Sequence, residues 1–170
     1  MVTLLALATQ ERNLFDPTFP LFGEEFAAKF KTQGIFELDE AAKCLALGRP
    51  TAAVFHLMRI MELGIRVLAL CLGVPDPVKP ADRSWAIFLK RIWGAIELKW
   101  PTTSDRMTGD GAFFESLYAS LDAAKNPWRN GTMHIENKFT DAEAANMFAA
   151  VKGFMMKLAS RCDEDGEPKA

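Results

Sequence analysis

Two histidines, three cysteines and a single tyrosine leave this sequence short of the side chains that carry most enzymatic chemistry. Cys44, Cys71 and Cys162 show no metal-ligand spacing, and no cluster of His, Cys and acidic residues of the kind that binds zinc occurs, so neither a metal nor a cofactor is expected. The odd count, and the apolar helical surroundings of Cys44 and Cys71, predict reduced thiols. No glycine-rich phosphate loop follows a strand-like run and no nucleophile elbow is present, which excludes the P-loop and α/β-hydrolase patterns. An excess of positive charge is lacking too. Lys and Arg number 20 against 22 Asp and Glu, a formal net charge of −2, which excludes a protein that coats nucleic acid through many phosphate contacts but leaves a local basic site open. The longest hydrophobic stretch, 52–73, is interrupted by His56, Arg59, Glu62 and Arg66, so it reads as a buried helix rather than a membrane span. The apolar residues 1–8 have no basic leader and run straight into Glu11 and Arg12, so no signal peptide is expected and the location predicted is cytoplasmic.

Strand-like alternation and internal repeats are also missing, and helical periodicity fills the space they leave. Phe22, Phe26 and Phe30 fall on one side of a short helix over 21–30, ended by Gly34. A second helix over 38–47 turns Ala41, Cys44, Leu45 and Leu47 mostly inward and stops at Gly48. Pro50 suits the first turn of a third, over 51–72, with Val54, Met58, Met61, Ile65, Leu68 and Leu72 on one broad apolar face. Three prolines between Gly73 and Pro80 reverse the chain before a helix over 83–98 with Trp85, Phe88, Leu89, Ile92 and Ile96 inside. Phe114, Leu117 and Leu121 mark the next, which Asn126 and Pro127 interrupt. Thr140 and Glu143 form a capping box that opens the last. These elements predict an all-α, antiparallel up-and-down helical bundle of about five or six helices. The 170 residues supply one core, spanning 20–162, with an irregular N-terminal arm over 1–19 and a frayed acidic tail over 163–170.

Candidate chemistry concentrates in the turn predicted between the last two helices, where Arg129, Asn130 and His134 lie within six residues. A guanidinium offers phosphate oxygens a planar fork that stays charged, and imidazole moves protons near neutrality. With RNA as substrate the 2′-hydroxyl is an internal nucleophile, so a proton acceptor and a cation for the charge developing at phosphorus suffice. Asn130 adds an amide able to hold phosphate, water or the imidazole, and Gly131 favours a close turn. Arg49 and His56 have a similar spacing, but Pro50 follows that Arg, and His56 sits in an apolar-rich helix where a hydrogen-bonded structural histidine is expected. Arg59, Glu62 and Arg66 share one side of that helix within about 60°. They read either as a solvated ion-paired stripe or as one wall of a cleft facing His134, with Glu62 orienting the imidazole.

The segment Arg129-Asn130-Gly131-Thr132-Met133-His134 resembles the signature of HEPN domains, an Arg followed after four to six residues by His with a polar residue directly after the Arg. The run Ala46 to Arg59 is similar to the central helix of bacterial HEPN-type proteins, and the likeness covers roughly 39–160. The resemblance implies a homodimer with two signature turns meeting in one cleft. In catalytic members it further implies metal-independent endoribonuclease activity that leaves a cyclic phosphate, in toxin–antitoxin or abortive-infection settings. By that likeness Arg129 binds the phosphate, His134 handles the proton and Asn130 supports both. An antitoxin or a nucleotidyltransferase is the further partner implied. Pro127, two residues before the Arg, departs from the pattern and bears on how Arg129 is presented. Non-catalytic members imply the alternative, a dimerisation or nucleotide-binding module.

Overall fold

Backbone groups that cannot find water must find each other, and this sequence satisfies them locally, in helices. The computed structural model describes residues 9–77, 84–124 and 138–167. Those residues form seven helices and no strand: α1 (Thr9–Phe15), α2 (Glu24–Lys29), α3 (Gln33–Ala46), α4 (Pro50–Cys71), α5 (Trp85–Lys99), α6 (Gly109–Ala124) and α7 (Asp141–Ala159). The all-α bundle expected from periodicity is therefore the fold. No described helix is long and apolar enough to cross a membrane.

Helix α4 is the axis of the core. Its apolar positions outnumber one stripe, and Val54, Leu57, Ile60, Met61, Ile65 and Leu68 are all essentially inaccessible. Helices α3, α5 and α7 pack around it. The α3–α4 corner is closed by Gly48 at φ +62°, with its amide on Leu45 O at 3.1 Å and the Arg49 amide on Cys44 O at 2.8 Å, and Pro50 then starts α4. This double hydrogen bond is the usual reason a helix stops at glycine. Helices α6 and α7 run antiparallel, with Asp110 paired to Arg161 and Ser116 bonded to Lys157. Helices α4 and α7 run the same way. The Phe139 amide donates to Thr51 Oγ1 at one end (3.1 Å), and Cys71 meets Cys162 at the other. They approach closely at Gly64, where a β-carbon would stand 2.6 Å from the Phe154 ring.

Four expectations change. The arm over 1–19 contains a helix, α1, which packs on α3. Gly34 does not end the phenylalanine helix but lies in the first turn of α3, which starts five residues earlier than its apolar pattern suggests. The tail is folded through Glu167. Its Glu164 carboxylate accepts the amides of Thr32 (2.9 Å), Gln33 (2.8 Å) and Gly34 (3.1 Å), the otherwise unsatisfied donors at the α3 N-terminus. Asp163 is 7% exposed and accepts the amides of Asp165 and Glu167. Finally, Cys71 and Cys162 form a disulfide across 91 residues, in place of two reduced thiols, and only Cys44 remains free among the described residues. Helical periodicity records which face is apolar, not which helix ends meet.

Candidate functional site

Burying a carboxylate is costly unless it is paired, so a buried acid locates an organised polar cluster. Glu37, on α3, is 4% exposed. Its Oε2 lies 2.8 Å from His56 Nδ1 and its Oε1 accepts from Arg59 Nε at 2.5 Å, both partners standing on α4. An ionised carboxylate only accepts, so in this contact His56 Nδ1 is the donor. Arg59 commits Nε inward, while its side chain stays 55% exposed and keeps the outer edge of the guanidinium for other acceptors. The Phe55 ring meets the imidazole edge-on at 5.9 Å.

From this cluster a polar stripe continues along α4. Thr51, Phe55, Arg59, Glu62 and Arg66 are all exposed and fall within about 80° on the helix, at roughly 100° per residue. The stripe is not internally ion-paired, because each arginine has a better-placed acid elsewhere. Arg59 takes Glu37, whereas Arg66 makes hydrogen bonds to Asp76 Oδ2 from Nε (3.2 Å) and Nη2 (2.8 Å). Glu62, between them, has no hydrogen-bond or ion-pair partner among the described residues.

Two cavities flank the stripe and meet at Glu62 and Arg66. One, of about 150 Å³, lies toward α3 and is bounded by Gln33, Glu37, Arg59 and Leu63 besides the shared pair. The other, of about 220 Å³, lies toward α5, with Ile65, Trp85 and Phe88 as apolar walls and Asp76 at the rim. Trp85 is 4% exposed, and its Nε1 is a buried donor with no acceptor among the described residues.

The structure brings Arg59, Glu62 and Arg66 together as the sequence pattern expects. Arg129, Asn130 and His134, with Pro127, lie outside the described residues. The chain re-enters the described fold at Lys138, and the Phe139 amide on Thr51 fixes that re-entry at the N-terminal end of the α4 stripe. The expected structural histidine at position 56 is borne out in its hydrogen bond to Glu37, but the carboxylate that orients it was missed. The signal for Glu37 was present. It lies four residues before Ala41 and three after Gly34, on the buried side of α3, so it is a charge at an inward position. Starting that helix at position 38 hid it. Among the described residues no group of three or more His, Cys, Asp or Glu side chains is placed to hold a metal ion. Comparison with protein-family models, with curated proteins and with solved structures finds no match to this chain.

Proposed function

We propose that this chain is a HEPN-like domain that cleaves RNA without a metal ion, by attack of the 2′-hydroxyl on the adjacent phosphorus. The P–O5′ bond breaks, a cyclic phosphate remains, and the 5′-oxygen leaves with a proton. In this reading His134 takes or delivers the proton, Arg129 neutralises the charge that builds on the non-bridging oxygens, and Asn130 steadies both. Arg59, Glu62 and Arg66 form the facing wall.

The observation that supports the reading is the hydrogen bond from the Phe139 amide to Thr51. It ties the chain, five residues after His134, to the head of the stripe that carries His56 and Arg59 on the buried Glu37. Along an α-helix Thr51 and His56 are about 7.5 Å apart, at 1.5 Å per residue. The all-α bundle is the fold the resemblance implies. Two copies joined about a two-fold axis, in the cytoplasm and in a toxin–antitoxin or defence setting with an antitoxin or nucleotidyltransferase partner, complete the proposal.

A second reading, nucleotide binding without cleavage, is favoured by the aromatic-walled cavity beside Glu62. One experiment separates the two. Purified protein incubated with single-stranded RNA in EDTA is expected to cleave it, and Arg129→Ala or His134→Ala is expected to lower the rate at least about 100-fold while the melting temperature holds within a few degrees. Cleavage that survives equally in both variants removes the nuclease reading. Thermal stabilisation by nucleotides with no cleavage by the wild-type protein establishes the second.

A further inference from the structure

Cleavage through the 2′-hydroxyl moves two protons, one off the attacking oxygen and one onto the leaving oxygen, and the signature supplies a single imidazole. The chain has one other histidine, His56. Its ring is held as a general base is held in an acid–base dyad. Nδ1 donates to the Glu37 carboxylate at 2.8 Å, and that carboxylate is buried and fixed through its other oxygen by Arg59. The His56 side chain is nevertheless 23% exposed. Because Nδ1 faces the buried acid, the exposed edge is the opposite one, which carries Nε2. Nε2 is accordingly not among the buried side-chain nitrogens left without a partner in the described residues, Trp85 Nε1 and Arg106 Nε. In a neutral ring with its proton on Nδ1, Nε2 holds the lone pair. Arg59 hangs from the same carboxylate by Nε and keeps its outer edge in solvent. A nitrogen able to accept a proton and a guanidinium able to hold a phosphate thus flank one buried acid.

We infer that Glu37, His56 and Arg59 form the second half of the catalytic apparatus, with His56 Nε2 as the base that takes the 2′-hydroxyl proton. Arg59 holds the phosphate under attack, and Glu37 is the positioning residue that fixes the ring. As O2′ bonds to phosphorus its proton passes to Nε2, the P–O5′ bond breaks, and His134 gives its proton to O5′. Both rings return to their starting states by proton exchange with water. The role left open for His134 becomes that of the acid, and the whole step rests on the RNA reading above. The Phe139 amide on Thr51 brings the chain that follows His134 to the same helix, about 7.5 Å of helical rise from His56.

The test uses the full-length protein in EDTA and single-stranded RNA in two forms, one all-oxygen and one with sulfur in place of the 5′-oxygen at the linkage the wild type cuts. Sulfur leaves as a thiolate without a proton, so that substrate needs a base but no acid. His56→Asn keeps an amide donor near the position of Nδ1 for Glu37 but cannot take up a proton. It is expected to lower kcat about 100-fold or more on both substrates, with KM and the melting temperature near those of the wild type. His134→Ala, lacking only the acid, is expected to be slow on the oxygen substrate and to recover on the sulfur one. Free imidazole is expected to restore part of the activity of His56→Ala. Glu37→Gln is expected to lower kcat at unchanged KM, a split that lost stability alone does not produce. Wild-type rates in His56→Asn overturn the inference and leave the nuclease reading standing. A His56→Asn defect that vanishes on the sulfur substrate makes the ring an acid and overturns it as the base. Absence of cleavage by the wild type overturns the nuclease reading and this step with it.

Discussion

Glu37 is the residue on which the polar side of α4 turns. Two hydrogen bonds, to His56 at 2.8 Å and Arg59 at 2.5 Å, hold a carboxylate that burial would otherwise penalise. The arginine is more than half exposed, so the ion-pair part of its attraction is screened by water, and the hydrogen bonds with the avoided orphan charge matter more. Glu37→Gln keeps an acceptor for Arg59 but places an amide against the imidazole. The expected cost is about 1–2 kcal/mol, read as a lower urea midpoint at an unchanged slope. A midpoint equal to wild type would mean the bonds contribute nothing net. Glu37→Leu should cost more, because it leaves a guanidinium nitrogen and an imidazole nitrogen without their partner at a partly buried site.

At the scale of elements, the helices lie where apolar spacing and helix punctuation put them. Pro50 and Gly48 bracket the start of α4 within one residue of the expected position, and the Thr140–Glu143 capping box opens α7 as its sequence signature predicts. Local rules failed at α3. Gly34 reads as a helix terminator, yet it sits inside the first turn because Glu164, 130 residues further on, caps that turn with its carboxylate. A cap supplied from the far end of the chain leaves no local trace, and the same cause hid the order of residues 163–167 and the pairing of Cys71 with Cys162. The cap has a measurable consequence. Glu164 accepts three backbone amides at a helix N-terminus, where a negative charge is also favoured by the helix dipole. Glu164→Ala is expected to destabilise the protein by about 1–2 kcal/mol and to raise amide hydrogen exchange at Thr32, Gln33 and Gly34. Unchanged exchange at those three amides would show that the tail does not cap α3.

At the scale of the whole molecule, the site was half legible. Arg59, Glu62 and Arg66 could be placed on one face from spacing alone, while Glu37 and the Trp85 slot required knowing which helices are neighbours. The two-fold cleft proposed for the signature residues requires a second copy, and two exposed phenylalanines, one on α3 and one on α4, are the apolar groups to test for that contact. Phe36 and Phe55 adjoin the bonded Glu37 and His56 in sequence and remain 60% and 53% exposed. An apolar ring left in water on each of two packed helices is the composition of an interface core with a charged rim, here Arg59 and Glu62. A stable dimer needs roughly 800 Å² from each partner, more than two rings supply, so the face must recruit the neighbouring turns of α3 and α4. Sedimentation at micromolar concentration is expected to give a dimer, and Phe55→Glu, which places like charges together across a two-fold contact, is expected to give a folded monomer with an unchanged helical spectrum. If the dimer is real and Phe55→Glu leaves it intact, the contact lies on another face. A wild-type protein that sediments as a monomer would leave each Arg129 and His134 without a counterpart, and the shared-cleft mechanism would fall with it.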